Sequence, residues 1–150
     1  MKKIAFLITF LMAGSVQAQT RDYAFAFNHV ALSVVDVDVA AAFYSEILHL
    51  EEIKNRSEFP GIRWFDLGEG HELHLISIVK EEVTINKAVH LALSTTHFDE
   101  LVSNLEENGI SYSDWPGKPQ TISVRADGVR QVFFQDVDGY WIEVNNENEQ

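Results

Sequence analysis

The order of apolar and polar residues in the first half of the chain predicts a strand, a helix and three more strands. Residues Phe27 to Val35 alternate weakly and are rich in valine, which favours a strand. An aspartate can cap the helix that follows, and large apolar residues recur in it at four-residue spacing: Asp36 or Asp38, then Val39, Phe43 and Ile47. Pro60-Gly61 and Gly68-Glu69-Gly70 are turn signals that separate further strands, expected at 51–57, 62–67 and 72–79.

The second half of the chain repeats the same order. Residues Ala88 to Ser94 predict a strand, and Thr95 or Thr96 is expected to cap the next helix. Gly109 is the expected left-handed end of that helix. The apolar face of the helix is expected to consist of Phe98, Leu101 and Leu105. Three strands are then expected at 110–113, 129–135 and 140–145.

Two short segments recur between the halves. His-Val-Ala-Leu-Ser begins at position 29 and His-Leu-Ala-Leu-Ser at position 90, an offset of 61 residues. Gly-His-Glu-Leu-His-Leu at 70–75 is similar to Gly-Tyr-Trp-Ile-Glu-Val at 139–144, an offset of 69 residues. The repeat therefore makes His29 equivalent to His90, and His74 equivalent to Glu143. The larger second offset means that the second half holds eight extra residues, expected in the Pro- and Gly-containing stretch near 114–120.

The alternation of each strand indicates a shared metal site. Since residues i and i+2 of a strand lie on one face, each of the four equivalent positions opposes apolar neighbours that can pack against the helices. The predicted ligands are therefore on the face turned away from the helices: His29, His74, His90 and Glu143. Imidazole and carboxylate groups together suit divalent first-row metals. The remaining histidines fall outside the repeat and are expected at the surface: His49, His71 and His97.

Composition bounds the protein class and its location. A content of 46% apolar and 23% charged residues is that of an ordinary globular domain. Residues 1–18 have a Lys-Lys start, an apolar stretch and small residues before a cleavage point after Ala18, which predicts a secretory signal peptide and a periplasmic or secreted protein that leaves the membrane after cleavage. Cleavage removes two lysines and no acid, so the formal net charge goes from −12 to −14 and a nucleic-acid partner is not expected. The absence of cysteine excludes disulfides and thiolate ligands.

These features together resemble the vicinal oxygen chelate superfamily, which includes glyoxalase I, bleomycin-binding proteins and extradiol dioxygenases. The resemblance rests on the paired His-x-Ala-Leu-Ser strands, the Glu-Leu-His-Leu segment and the closing stretch 131–145. It implies an α+β fold: one domain over 27–146 made of two βαβββ modules, about 27–80 and 87–146, in a curved, partly open mixed sheet around a metal site. It also implies a divalent ion (Zn, Ni, Co, Mn or Fe(II)), a small-molecule substrate and a homodimer, with the four ligands drawn from one chain or from two.

The first hypothesis for the reaction is a glyoxalase I-like lyase or isomerase, in which Glu143 is the catalytic residue that moves a proton at carbon. Glyoxalase I usually has a glutamate where this chain has His74. One alternative is an extradiol-type dioxygenase with ferrous iron on His29, His90 and Glu143, although Phe133 and Phe134 stand where such enzymes carry a tyrosine. Another alternative is a non-catalytic binder of the bleomycin-resistance type. Candidate substrate contacts are Arg63, Trp64, Arg125, Arg130 and Trp141, although surface ion pairs would equally explain the arginines.

Overall fold

The computed structural model describes residues 25–79 and 81–147. The predicted signal peptide, residues 1–18, lies outside this part of the chain, as do residues 148–150. Among the described residues, none of the helices has the length and apolar character that a membrane crossing requires.

The described residues form two βαβββ units, which confirms the predicted α+β class. The elements are β1 (His29–Ser33), α1 (Val37–Glu46), β2 (Glu52–Ile53), β3 (Ile62–Asp66), β4 (Glu72–Ile76), β5 (His90–Ser94), α2 (Phe98–Glu107), β6 (Tyr112–Ser113), β7 (Ser123–Val124), β8 (Arg130–Gln135) and β9 (Trp141–Asn145). The second unit has one additional short strand, β7, which the sequence did not predict. It lies between β6 and β8, in the stretch where the second half is longer than the first.

Each unit has its own sheet, and the two sheets share one pairing scheme. The first has the strand order β1-β4-β3-β2, and the second has the order β5-β9-β8-β6, with β7 paired to β8. Strand β1 pairs in parallel with β4 so that Ala31 lies opposite His74. Strand β5 pairs in parallel with β9 so that Ala92 lies opposite Glu143. The equivalence of His74 and Glu143 inferred from the repeat is therefore also an equivalence of backbone pairing.

Helix α1 begins as predicted, and two of its three predicted apolar positions face the core. The Asp36 carboxylate accepts hydrogen bonds from the main-chain amides of Asp38 (2.9 Å) and Val39 (3.2 Å), so Asp36 is the N-cap. Phe43 is buried and Ile47 packs against the core, whereas Val39 is 54% exposed, so the prediction is wrong at Val39. The sequence did not indicate the burial of Tyr44, whose hydroxyl has a partner across the core, described below.

Helix α2 begins at a residue that the sequence did not indicate. Its N-cap is His97, which makes no side-chain capping bond, so the prediction of Thr95 or Thr96 as the cap is wrong. Thr95, two residues before this N-cap, stabilises the turn that leads into the helix, since its hydroxyl accepts a bond from the His97 amide at 3.0 Å. Gly109 follows the helix with φ of +66°, as expected for a left-handed end.

A single apolar core spans both units and determines which side chains face away from it. Leu73 and Leu75 of β4 are fully buried in this core, and so are Ile142 and, almost completely, Val144 of β9. Because alternate residues of a strand face opposite sides, His74 (between the two leucines) and Glu143 (between Ile142 and Val144) lie on the other face of their sheets. The predicted separation of polar and apolar faces is confirmed for these two strands.

Buried polar contacts join the second unit to the first. The Tyr44 hydroxyl donates to Asp136 Oδ2 at 2.8 Å, and burial raises the pKa values of both groups. The Tyr140 hydroxyl donates to the Ser33 carbonyl at 2.8 Å and accepts from the Ser33 amide at 3.1 Å. Asp138 accepts a bond from the Val35 amide at 2.8 Å. The turn between β8 and β9 is thus fastened to the end of β1 and to α1.

Candidate functional site

The four predicted metal ligands lie in two separate places within the chain. His29 and His74 are on the first sheet, and His90 and Glu143 are on the second. Over residues 25–79 and 81–147, no three His, Asp or Glu side chains come together in a way that would hold an ion. Within the described residues the four side chains therefore form two separate pairs, which we call the first half-site (His29 and His74) and the second half-site (His90 and Glu143). The assignment of all four residues to a single ion stays a prediction.

The second half-site consists of His90 and Glu143 with the groups around them. His90 Nε2 lies 3.3 Å from Glu143 Oε2. His90 Nδ1 is 3.0 Å from the Lys87 main-chain carbonyl, which can only accept, so Nδ1 donates this bond and Nε2 is the ring nitrogen that faces Glu143. Glu143 Oε1 accepts a bond from the Asn145 amide group at 3.0 Å.

This geometry fits a divalent ion. Donor atoms that each bind an ion at about 2.0–2.2 Å at roughly right angles lie about 3 Å apart, close to the observed separation of His90 Nε2 and Glu143 Oε2. A metal-bound histidine usually donates its other ring nitrogen to a carbonyl or carboxylate, as His90 does to Lys87. The two side chains are 23% and 13% exposed, so an ion and a small molecule could reach them.

The first half-site, by contrast, is a column of stacked planar groups. The Arg56 guanidinium lies 4.4 Å from the Trp64 ring centre. Trp64 stacks on His74 at 4.0 Å with 7° between the planes, and His74 stacks on His29 at 4.3 Å with 16°. Lone pairs of two cofacial imidazoles point side by side rather than at one point. Both histidines could therefore bind one ion only if one of the rings turned.

The Glu72 carboxylate bridges two members of this column, His74 and Arg56. Its Oε2 lies 2.9 Å from His74 Nε2, and its carboxylate accepts two bonds from Arg56 at 2.7 and 2.8 Å. The hydrogen bonds from His74 and from Arg56 hold the pKa of Glu72 below its ordinary value. Trp64 Nε1 is buried and, among the described residues, has no hydrogen-bond acceptor. Within the described residues, this indole nitrogen is the one buried side-chain polar atom of the column without a hydrogen-bond partner.

Lys87 is a functional candidate that the sequence analysis missed. Its ammonium lies 4.5 Å from the Phe133 ring centre, 4.8 Å from that of Trp141 and 5.7 Å from that of Trp115. It donates to Ser113 Oγ and to the Trp115 carbonyl, both at 3.1 Å, and to the Asp114 carbonyl. Burial lowers the pKa of Lys87.

Of the other missed residues, only Glu72 left a signal in the sequence. It stands two positions before His74, so strand alternation places the two side chains on one face. Arg56, Lys87 and Trp115 lie in loops of the structure. Arg56 was expected in the strand at 51–57, which instead ends at Ile53.

The three predicted substrate-binding arginines are engaged elsewhere. Arg63 pairs with Glu52 and, at 3.0 Å, with Asp38. The other two arginines also meet carboxylates of the chain: Arg125 meets Asp127 and Glu147, and Arg130 meets Asp99. These contacts favour the surface ion pairs considered above.

Trp64 and Trp141, in contrast, do lie in the half-sites, against His74 and Lys87 respectively. Among the histidines expected at the surface, His49 and His97 are exposed. His71 is half-buried, with its ring centre 5.1 Å from that of Phe27.

The strands that carry His29 and His90 both lie at a sheet edge. Strand β1 pairs only with β4, and β5 only with β9, within the part of the chain that the structure describes. Each strand therefore has one side without a strand partner, next to its half-site. A strand edge of this kind can accept a further strand.

Comparison with known proteins identifies one superfamily. The model of the Glyoxalase/Bleomycin resistance protein/Dioxygenase superfamily matches residues 26–144. A glyoxalase family protein from Bacillus anthracis is 27% identical, with a TM-score of 0.66 over 84% of this chain and 98% of that one. A lactoylglutathione lyase from Agrobacterium tumefaciens is 20% identical (TM-score 0.63; 84% and 96% covered), and the oxidase ChaP-H2 is 21% identical (TM-score 0.66; 83% and 94% covered). The last two likenesses concern the fold alone. No curated protein is a significant match.

Proposed function

Because the chain belongs to the Glyoxalase/Bleomycin resistance protein/Dioxygenase superfamily, we propose that it is a divalent-metal-dependent enzyme that binds a small molecule through two adjacent oxygens. A glyoxalase I-like lyase or isomerase is the first choice of reaction. The observation that carries this proposal is the pair His90 Nε2 and Glu143 Oε2, which are 3.3 Å apart on an accessible face.

His90 and Glu143 would hold the ion, joined by His29 and His74 from the other kind of half-site. A bound divalent ion would supply Lewis acidity, which makes a proton on the carbon beside a carbonyl easier to remove. Glu143 would leave the ion, or stay loosely bound to it, and take that proton with Oε2, since its carboxylate lies on the same face as His90 Nε2. The bond from Asn145 to Oε1 would keep Oε2 turned towards this position.

We further propose that two copies pair so that the first half-site of one copy meets the second half-site of the other. Three features of the described residues support this arrangement. The half-sites are separate, the adjoining edges of β1 and β5 lack a strand partner there, and the buried Trp64 Nε1 lacks an acceptor among the same residues. An unpaired buried donor costs about 1–3 kcal/mol. A ligand or a second copy that supplied an acceptor would recover this cost.

The test uses two double variants with different affinity tags. One removes the first half-site (His29→Ala with His74→Ala), and the other removes the second half-site (His90→Ala with Glu143→Ala). Elemental analysis should find stoichiometric ion in the wild type and none in either variant homodimer. A purified heterodimer of the two variants keeps one intact combination of half-sites, so it should recover about one ion per dimer.

Two results would count against the proposal. Stoichiometric metal in the variant that lacks His90 and Glu143 would remove the site assignment. A heterodimer without metal, beside a metal-loaded wild type, would leave the metal site in place but show that it does not span two copies.

One observation favours the dioxygenase alternative. His74 is held by Glu72 and by two stacked neighbours, so the ligand set most easily completed is His29, His90 and Glu143. Two histidines and one carboxylate form the facial set of non-haem iron enzymes. Activity assays distinguish the two reactions. A lyase would convert hemithioacetals with added nickel, cobalt or zinc. A dioxygenase would require ferrous iron and consume oxygen with catechols.

A further inference from the structure

Lys87 lies beside the second half-site, and the hydrogen bonds of its ammonium all go to one segment. All three of its acceptors belong to the consecutive residues Ser113, Asp114 and Trp115. An ammonium group has three hydrogens, so these bonds use its full donor capacity. Lys87 is therefore committed to holding this segment, and its main-chain carbonyl independently orients His90.

The segment that Lys87 holds is internally closed. Asp114 Oδ1 accepts bonds from the amides of Gly117 (2.9 Å) and Lys118 (2.7 Å), and the Asp114 amide donates to the Lys118 carbonyl. What Lys87 adds is attachment of the turn to the start of β5, beside His90.

Trp115 is the side chain that this attachment places. Its ring stands edge-on to His90 at 6.1 Å between centres and to Phe133 at 5.4 Å. It nevertheless remains 48% exposed. A large aromatic ring that is fixed in orientation and left open to solvent is suited to stacking on a ligand.

A cavity of about 390 Å³ adjoins Phe133 and Trp141, the two rings nearest to the Lys87 ammonium, whereas Trp115 and His90 are not among its lining residues. Its wall includes Ser113, Gly117 and Pro119, so the turn that Lys87 holds forms part of it. Movement of this turn would therefore change the shape of the cavity.

We propose that Lys87 is a positioning residue that fixes Trp115 beside His90, and that this arrangement makes the site prefer ligands with an aromatic ring next to their two adjacent oxygens. The ligand preference rests on the proposed function, because it requires an ion at His90 and Glu143. The positioning of Trp115 does not depend on an ion.

The experiment compares four full-length variants with the wild type. Lys87→Met keeps the length of the side chain and removes its donors, and Lys87→Arg keeps the donors. Trp115→Ala removes the platform. Lys118→Met is the matched control, since it removes the same charge from an exposed position of the same turn.

Two measurements are made on each protein. Amide hydrogen exchange of residues 113–119 should accelerate in Lys87→Met, while Lys87→Arg and Lys118→Met should remain close to the wild type. The second measurement is the affinity of cobalt-loaded protein for benzohydroxamate relative to acetohydroxamate, two chelators that differ by the ring. The wild type should prefer benzohydroxamate by about tenfold, the value expected of one good aromatic contact.

The preference for benzohydroxamate over acetohydroxamate should fall to about twofold in Lys87→Met and in Trp115→Ala. The affinity of these variants for cobalt should stay within about twofold of the wild type. A purely stabilising lysine would leave this ratio unchanged, so an unchanged ratio in Lys87→Met would overturn the ligand preference. Unchanged exchange would overturn the positioning role. If the wild type takes up no cobalt, the proposed function and the ligand preference fail together, and hydrogen exchange still decides the positioning role.

Discussion

Removal of the Tyr44 hydroxyl is the most informative perturbation of the fold. Tyr44 is fully buried, and its hydroxyl donates to Asp136 Oδ2 at 2.8 Å. The other oxygen of Asp136 accepts bonds from the amides of Asp138 (3.0 Å) and Tyr140 (2.8 Å). In Tyr44→Phe, Oδ2 would stay buried without a donor. A hydrogen bond to a charged group contributes about 1.5–3 kcal/mol, so the free energy of unfolding at pH 7 should fall by about 2–3 kcal/mol.

The same contact gives a pH dependence with a definite sign. Burial raises the pKa of Asp136, so the native state holds this proton to a higher pH than the unfolded state does. The carboxyl therefore contributes stability below its unfolded pKa of 3.8, and this contribution is lost as pH rises through the raised native pKa. The bond from Tyr44 opposes the rise, so Tyr44→Phe should raise the pKa of Asp136 further. The loss of stability relative to the wild type should consequently be smaller near pH 4 than at pH 7.

The assay is urea unfolding at fixed protein concentration over pH 4–8, because stability depends on concentration if the chain pairs. Tyr112→Phe is the matched control. It removes a hydroxyl bonded at 2.8 Å to a carboxylate, but its partner Glu106 is exposed, so the cost should stay near 1 kcal/mol or less. Equal losses in the two variants, or a loss in Tyr44→Phe that does not change with pH, would refute the reasoning.

Two further predictions concern the arginines and the start of the chain. Arg63→Gln should change the free energy of unfolding by less than about 1 kcal/mol and leave metal content intact, because its ion pairs are at the surface; a large loss of bound ion, measured by elemental analysis, would return Arg63 to the site. The mature protein purified from its host should begin at Gln19, as N-terminal sequencing would show; an intact Met1 would contradict export by cleavage.

The faces of His74 and Glu143 could be predicted because side chains of a strand alternate with a period of two. The repeat made these two positions equivalent, and their equivalent backbone pairing, which the sequence did not predict, agrees with that. Strand β7 was not predicted because Ser123–Val124 is too short for any period to show, and Val124 is 66% exposed. The burial of Tyr44 in α1 was not predicted because the partner of its hydroxyl lies 92 residues further along the chain.

The sequence predicted the face on which each candidate ligand lies in its own strand, but not how the ligands of different strands come together. Alternation identifies the side of a sheet on which His29 or Glu143 lies, but it carries no information about how the two sheets are placed relative to each other. The same limit hid Arg56 and Lys87, which reach the half-sites from loops. Their roles depend on through-space contacts with Trp64 and Phe133, and no local pattern marks such contacts.

The two half-sites differ in how far their side chains must move to bind an ion. The free energy of the aromatic stack can be compared with the free energy of ion binding. His90 and Glu143 already have the separation that two ligands of one ion require, whereas His29 and His74 are stacked. An aromatic stacking contact is worth about 0.5–1.5 kcal/mol. Structural zinc sites provide on the order of 10–16 kcal/mol. The cost of separating the two imidazoles would therefore be small beside the free energy of ion binding. In the proposed site, the second half-site would take the ion first, and the first half-site would reorganise around it.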